Sequence, residues 1–186
     1  MDTFPASSAA LLDFLSGLCY TEIDPPAGAE VNTMDHYTLL LDSPLGPLTL
    51  RSDGECVTAL RFGIHQETSP LPCPVLARAA RELAEYFAGE RRHFTVPLAP
   101  GGTLFQRQVW DALAAIPYGE TRTYAQIAAA VGRPRACRAV GMANHRNPLP
   151  IFIPCHRVVG RDGSLTGYAG GLDRKIFLLR LEGAGY

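Results

Sequence analysis

A chain of 186 residues with 47% apolar and 19% charged positions carries enough hydrophobic material to bury a core, which excludes a disordered tail. Its mean hydropathy of +0.03, with no apolar run near the ~20 residues of a spanning helix, excludes a helical membrane protein. The formal net charge of −1 hides a division: residues 1–100 hold 6 Arg against 13 Asp or Glu, residues 101–161 hold 8 Arg against 2 acids, and residues 162–186 balance at three against three. A basic middle that follows an acidic first half suggests a local nucleic-acid surface. Sixteen of the 17 basic residues are Arg, whose planar fork suits phosphate and base contacts, although a chain rich in Ala, Gly and Pro can acquire the same bias from genomic composition.

The first 33 residues read as an extension, expected to be flexible. Within it Leu11, Phe14, Leu15 and Leu18 recur at helical spacing over Ala9–Leu18, and Pro25-Pro26-Ala27-Gly28 forms a linker. No Lys or Arg precedes Arg51, so no secretory or transit signal is read here, and Met34 opens a stretch that resembles a protein start. Residues 34–100 form the first domain. Tyr37–Asp42, Pro47–Arg51 and Cys56–Phe62 are short alternating runs separated by the turn sequences Ser43-Pro44-Leu45-Gly46 and Ser52-Asp53-Gly54-Glu55, which predicts an antiparallel meander. Pro74–Ala88 then places Leu76, Ala79, Ala80, Leu83 and Phe87 on one face of an amphipathic helix.

Residues 101–186 form the second domain. Thr103 with Gln106 is a capping box. It opens a helix whose stripe of Phe105, Val109, Leu113 and Ile116 stops at Pro117-Tyr118-Gly119. Thr123 with Gln126 repeats the device and opens a short helix with Ile127 and Val131 inward. Gly132-Arg133 closes that helix, and Pro134 is expected to begin a third, running to about His145. Two short helices joined by a tight turn have the outline of a helix-turn-helix. In the second of them Arg135, Arg138 and Arg146 lie among Ala136, Ala139, Gly141 and Ala143, small enough to approach either a groove or a protein core.

After Asn147-Pro148, the run Leu149-Pro150-Ile151-Phe152-Ile153-Pro154 is expected to be held extended by its prolines, and it delivers Cys155-His156-Arg157. A thiol next to an imidazole and a guanidinium is a candidate nucleophile, since nearby positive charge favours the reactive thiolate. Cys19, Cys56, Cys73 and Cys137 read as inert packing thiols. The odd cysteine count, without a C-x-x-C pair, argues against a disulfide framework and for a reducing cytoplasm. Cys19, Cys56, Cys73, His36, His65 and His93 show none of the tight spacings of a zinc site, so no metal is expected. Glu182 ends the helix Leu172–Leu181 just before the stop residue Gly183. A carboxylate facing the negative end of a helix is mildly misplaced, which leaves it as either a surface residue or the group that orients His156.

Pro154-Cys155-His156-Arg157-Val158-Val159-Gly160, with Gly167-Tyr168-Ala169-Gly170-Gly171-Leu172 and Lys175 after it, resembles the active-site signature of the O6-alkylguanine-DNA alkyltransferases. Gly102-Thr103, Phe105-Gln106, Val109-Trp110, Ile116–Thr121, Arg138-Ala139-Val140-Gly141 and Asn147-Pro148 match the same family in order. The resemblance is dense from Gly102 to Gly183 and looser from Tyr37 to Pro100. It implies an α+β fold: a ribonuclease H-like α/β roll with a small antiparallel sheet, then a mostly helical domain carrying a winged-helix-like helix-turn-helix.

The resemblance also implies direct-reversal DNA repair. Cys155 would accept the alkyl group, His156 would act as its base through a water, Glu182 would orient His156, and Asn147 would tie the preceding turn into the network. Tyr124 would give a proton to guanine N3. The pocket would use the Cys155 and Val158 carbonyls and the Ala169 amide, lined by Tyr168, Gly170 and Pro150. Some relatives carry Ser in place of Ala169, which costs a hydroxyl contact and keeps the backbone donor. Arg138 would fill the stack vacated by the flipped base, with Arg135, Ala136, Ala139 and Gly141 in the minor groove. The implied partner is double-stranded DNA containing O6-alkylguanine, read by a monomer that uses no cofactor, does not bind membranes and acts once. Rival readings are a non-catalytic damage sensor, disfavoured by Cys155; a methylation-responsive regulator, which would carry a further metal-binding module; and a Cys-His hydrolase, disfavoured because adjacent side chains on an extended segment diverge.

Overall fold

The computed structural model describes residues 37–65 and 73–186, and the extension with its expected helix and linker lies outside them. The three expected strands form as β1 (Tyr37–Leu41), β2 (Leu48–Ser52) and β3 (Val57–Phe62), an antiparallel meander in the order β1-β2-β3. Leu39, Leu50 and Leu60 stand side by side in register. The first turn closes through Gly46 N–H to Ser43 O at 2.9 Å. In the second, Asp53 Oδ1 accepts from the Glu55 amide at 3.0 Å, an Asx turn, and from the Cys56 amide at 2.7 Å.

Helix α1 (Pro74–Phe87) starts on a proline, whose missing N–H costs nothing there. The predicted face of Leu76, Ala79, Ala80, Leu83 and Phe87 is buried against the sheet. Glu82 and Tyr86 are buried with it, unforeseen by the periodicity. Glu82 accepts from Thr95 N at 2.7 Å, Thr95 Oγ1 at 2.6 Å and Arg78 Nε at 3.0 Å, which pins the segment after the helix. Burial would raise its pKa, but these donors override it and hold the carboxyl at about 2.

Both capping boxes are formed. Thr103 and Gln106 bond reciprocally at the start of α2 (Leu104–Ala114), as do Thr123 and Gln126 at the start of α3 (Tyr124–Ala130). Helix α4 runs Cys137–His145, three residues shorter than expected. Pro134 is not its first residue. The Ala136 amide bonds Arg133 O at 2.8 Å, so Pro134 occupies the second position of a tight turn, the other place that suits its fixed φ. Trp110 from α2 is 2% exposed and donates to Ala143 O of α4 at 2.9 Å, tying the helix pair to the core.

The segment Leu149–Pro154 is not extended. Ile153 N bonds Leu149 O at 2.9 Å and Ile151 takes φ +75°, so the chain folds into a tight turn. Its prolines restrain their own φ and the preceding residue, leaving Ile151 and Phe152 free to reverse direction. Cys155–Arg157 is then one turn of 3₁₀ helix, followed by β5 (Val158–Val159), which pairs in parallel with β4 (Arg122–Thr123). Helix α5 (Leu172–Leu181) ends at Glu182 as read from the sequence. The whole is α+β, with a small antiparallel sheet and five helices among the described residues.

Candidate active site and DNA-facing helices

The tight turn before Cys155 is built by Asn147. Its Nδ2 donates to Ile153 O at 2.8 Å and its Oδ1 accepts from Leu149 N at 3.0 Å, and its side chain favours the ionised Cys155 thiol. Ile151's left-handed backbone, strained for a β-branched residue, is thereby clamped from both sides. Cys155 is 2% exposed. Burial pushes its thiol up to about 11, against the pull of the Asn147 side chain and the Lys175 charge. The resting group is thus a thiol at neutral pH, where the sequence suggested a stabilised thiolate.

The cation nearest that thiol in effect is Lys175, not Arg157. Lys175 is fully buried on α5, with Nζ donating to Val158 O at 2.6 Å and Thr166 O at 3.0 Å. Its pKa is drawn down to about 8 by burial. Arg157 turns the other way. Its Nε and Nη2 reach the two oxygens of Glu182 at 2.8 and 2.9 Å, and Nη1 reaches Ile116 O at 2.6 Å.

His156 is fully buried, with Nε2 2.9 Å from Glu182 Oε1. Burial lowers the imidazole's pKa, outweighing the opposing pull of Glu182. Burial would raise Glu182, yet the His156 and Arg157 bonds hold it well below the carboxylate range. An ionised carboxylate only accepts, so Nε2 carries the proton and Nδ1 the lone pair. His156 Nδ1 is buried with no hydrogen-bond partner among the described residues. Glu182 Oε1 also accepts from the Tyr86 hydroxyl at 2.7 Å, and Oε2 from the Gly119 amide at 3.3 Å. Gly119 has φ +78°, and a Cβ there would stand 2.8 Å from Glu182 O, so only glycine permits this approach.

The other expected site residues take their places around this centre. Pro150, Val158, Tyr168 and Gly170 are buried, and Ala169 is exposed between the last two. Val158 O already accepts from Lys175, and Cys155 O accepts from the Val158 amide, leaving each carbonyl one free lone pair. Tyr168 packs edge-on against Phe62 of β3 at 6.2 Å, and its buried hydroxyl has no partner among the described residues. Tyr124, at the start of α3, lies beside Gly141 of α4, where a Cβ would approach its ring at 3.8 Å. Arg135, Arg138 and Ala139 are exposed, and Ala136 and Gly141 are half-buried, so the small residues and the arginines share one accessible surface. Tyr86 was not singled out from the sequence; Arg157 was read as a cation for the thiol, and Gly119 and Lys175 stood only as members of the matching motifs. They lie far apart along the chain, and only the fold assembles them.

Among the described residues no cluster of three or more His, Cys, Asp or Glu side chains is placed to hold a metal, and no helix is long and apolar enough to cross a membrane.

A buried cysteine, a His156–Glu182–Arg157 network and an exposed Arg138 on a short helix pair fit the class of thiol enzymes that act on DNA. Residues 36–100 match the 6-O-methylguanine DNA methyltransferase ribonuclease-like domain, and residues 104–184 match the DNA binding domain of the same enzyme. A methylated-DNA–protein-cysteine methyltransferase of Methanosarcina acetivorans is 50% identical over 154 residues, 80% of this chain and 99% of that protein. The constitutive enzyme of Bacillus subtilis is 49% identical, over 82% of this chain and 98% of its own. The crystal structure of Mycobacterium tuberculosis OGT in complex with DNA superposes with a TM-score of 0.72 at 49% identity, covering 80% of this chain and 92% of that one. The chain belongs to the methylated-DNA–protein-cysteine methyltransferase family.

Proposed function

We propose that this protein repairs DNA by direct reversal, moving an alkyl group, methyl above all, from O6 of guanine to the Sγ of Cys155. The observation that carries the reading is the buried Cys155–His156–Glu182 set beside an exposed Arg138 helix. His156 Nδ1, the lone-pair nitrogen, takes the thiol proton through a water, and Glu182 and Arg157 hold the imidazole in that tautomer. The thiolate attacks the alkyl carbon, the S–C bond forms as the C–O6 bond breaks, and the guanine anion receives a proton at N3 from the Tyr124 hydroxyl. A thiol with a pKa near 11 stays protonated until substrate arrives, which protects it from adventitious reaction.

The target base is extruded from the duplex, and Arg138 fills the gap. Arg135, Ala136, Ala139 and Gly141 lie along the minor groove, where small side chains permit close approach and sequence goes largely unread. Pro150, Tyr168 and Gly170 wall the pocket, the free lone pairs of the Cys155 and Val158 carbonyls take the exocyclic amine, and the Ala169 amide faces O6. The product is a thioether that no residue in the site is placed to cleave, so each molecule acts once. The protein works as a monomer in the cytoplasm.

The test is mass spectrometry of the protein after incubation with a duplex bearing O6-methylguanine, beside Cys155→Ser. One methyl on the Cys155 peptide, saturating at one per protein and absent in the variant, is the expected result. Binding without transfer would make the protein a damage sensor. A parallel duplex with O4-methylthymine decides whether that lesion is a second substrate.

A further inference from the structure

Tyr86 sits on α1 in the N-terminal part of the fold, fully buried and 96 residues before the carboxylate it touches. Its ring is fixed by Phe94 at 5.3 Å and by Tyr118, edge-on, at 6.2 Å. Buried side-chain hydroxyls usually find backbone partners, but this one donates to Glu182 Oε1, the same oxygen that holds His156. Oε1 thus serves three donors: Tyr86, His156 and Arg157 Nη2. Each added donor withdraws charge from the carboxylate and weakens its hold on the imidazole N–H.

We propose that Tyr86 is a positioning residue for alkyl transfer: its hydroxyl fixes the Glu182 carboxylate against His156 and tempers Oε1 as an acceptor, keeping the imidazole a moderate base. The inference rests on the reading of Cys155 as the alkyl acceptor. A base that is too strong is already protonated at neutral pH and cannot take the thiol proton, so tempering serves the transfer. The charged and titratable groups facing this centre are Arg157 on the 3₁₀ turn, Lys175 on α5, Tyr118, with Arg92 over its ring, and Tyr168. Arg157 and Lys175 lower the imidazole's pKa directly, whereas Tyr86 reaches it through Glu182. The N-terminal part of the fold therefore contributes to the chemistry through the Tyr86 hydroxyl.

The test compares Tyr86→Phe with wild type in single-turnover transfer from an O6-methylguanine duplex across pH. The expected result is about a tenfold slower transfer at neutral pH, unchanged duplex affinity, and an acid limb moved up by about half a pH unit as Glu182 pulls harder on the imidazole. In the DNA-free protein the His156 Nε2–H proton resonance moves downfield. Leu83→Ala, on the same helix and away from Glu182, lowers stability and moves neither readout. Fluorotyrosine at position 86, a stronger donor of the same shape, shifts the acid limb the opposite way and serves should Tyr86→Phe fail to fold. An unmoved acid limb and an unmoved His156 resonance in folded protein would overturn the inference. Failure of wild type to methylate Cys155 would instead overturn the acceptor reading on which it rests, and the resonance would still report whether Tyr86 acts on His156.

Discussion

Five hydrogen bonds converge on the two oxygens of Glu182, from Tyr86, His156, Gly119 and two Arg157 nitrogens. A buried carboxylate so surrounded is costly to disturb from either side. Glu182→Gln leaves Arg157 buried without its counter-charge, and we expect a loss of about 3 kcal/mol of folding stability by urea unfolding, together with loss of methyl transfer. Asn147→Ala acts elsewhere. It removes both clamps on the Ile151 turn that leads into Cys155, so transfer should slow about tenfold or more while duplex affinity holds. At this scale the sequence was partly legible. Cys155, His156 and Glu182 stand out by composition and position, but their partners do not. Tyr86 looks like another apolar position of a helix, and Arg157 looks like the cation for the thiol when it serves Glu182 instead. No local spacing signals a pairing across 25 or 96 residues.

At the scale of elements, local chemistry predicted well wherever the causes were local. The capping boxes at Thr103 and Thr123 formed as read because each needs only four consecutive residues. Thr123→Ala should therefore cost about 1 kcal/mol, and a thermal melt should show it. Two boundaries were misread for a shared reason: a proline fits more than one role. Pro134 starts a turn instead of α4, and Pro150 and Pro154 flank a reversal that the Asn147 side chain organises from outside the segment. On the helix-turn-helix, Arg138 is exposed among small residues. On the proposed reading, in which Arg138 fills the gap left by the flipped base, Arg138→Ala should slow methyl transfer from duplex about tenfold or more. Binding should weaken on added salt in both proteins, since phosphate contacts elsewhere remain. An equal rate for variant and wild type on duplex would remove the finger role.

For the whole molecule, acid is the condition that unmakes the fold. Glu82 is held at about 2 and Glu182 lower than its usual range, both below the ~4.3 of an unfolded glutamate. Their contributions are complete above about pH 5 and are lost as pH falls toward 2. His156, with its pKa lowered by burial, adds to the same trend, because the unfolded chain takes up a proton below about pH 6.5 that the folded chain refuses. Denaturant midpoints should decline from about pH 6.5 downward and fall steeply below 5, and Glu82→Gln should flatten the lower part of that curve. The charge division of the sequence maps onto the described fold only through its basic middle. The arginine-rich middle supplies α2 to α4, while the sheet and α1 are close to balanced, residues 37–100 holding 7 acids against 6 Arg, with Glu82 spent internally.

The outer edge of β3 is closed by other parts of the chain. Val57 exchanges bonds with Pro97 O and the Ala99 amide, and the Leu60 amide bonds Pro148 O, at the threshold of the Asn147 turn. Cutting the polypeptide at the junction near residue 100 therefore keeps the bonds from Pro97 and Ala99 but separates Leu60 from Pro148. A fragment carrying only the sheet and α1 would bare the Leu60 amide and its neighbours to any strand in solution, the usual start of edge-to-edge aggregation. Its complement would lose both the Tyr86 hydroxyl and the backbone anchor for Pro148. Two halves expressed together should reassemble through that edge, and a split version of this protein would report its own reunion by regaining methyl uptake.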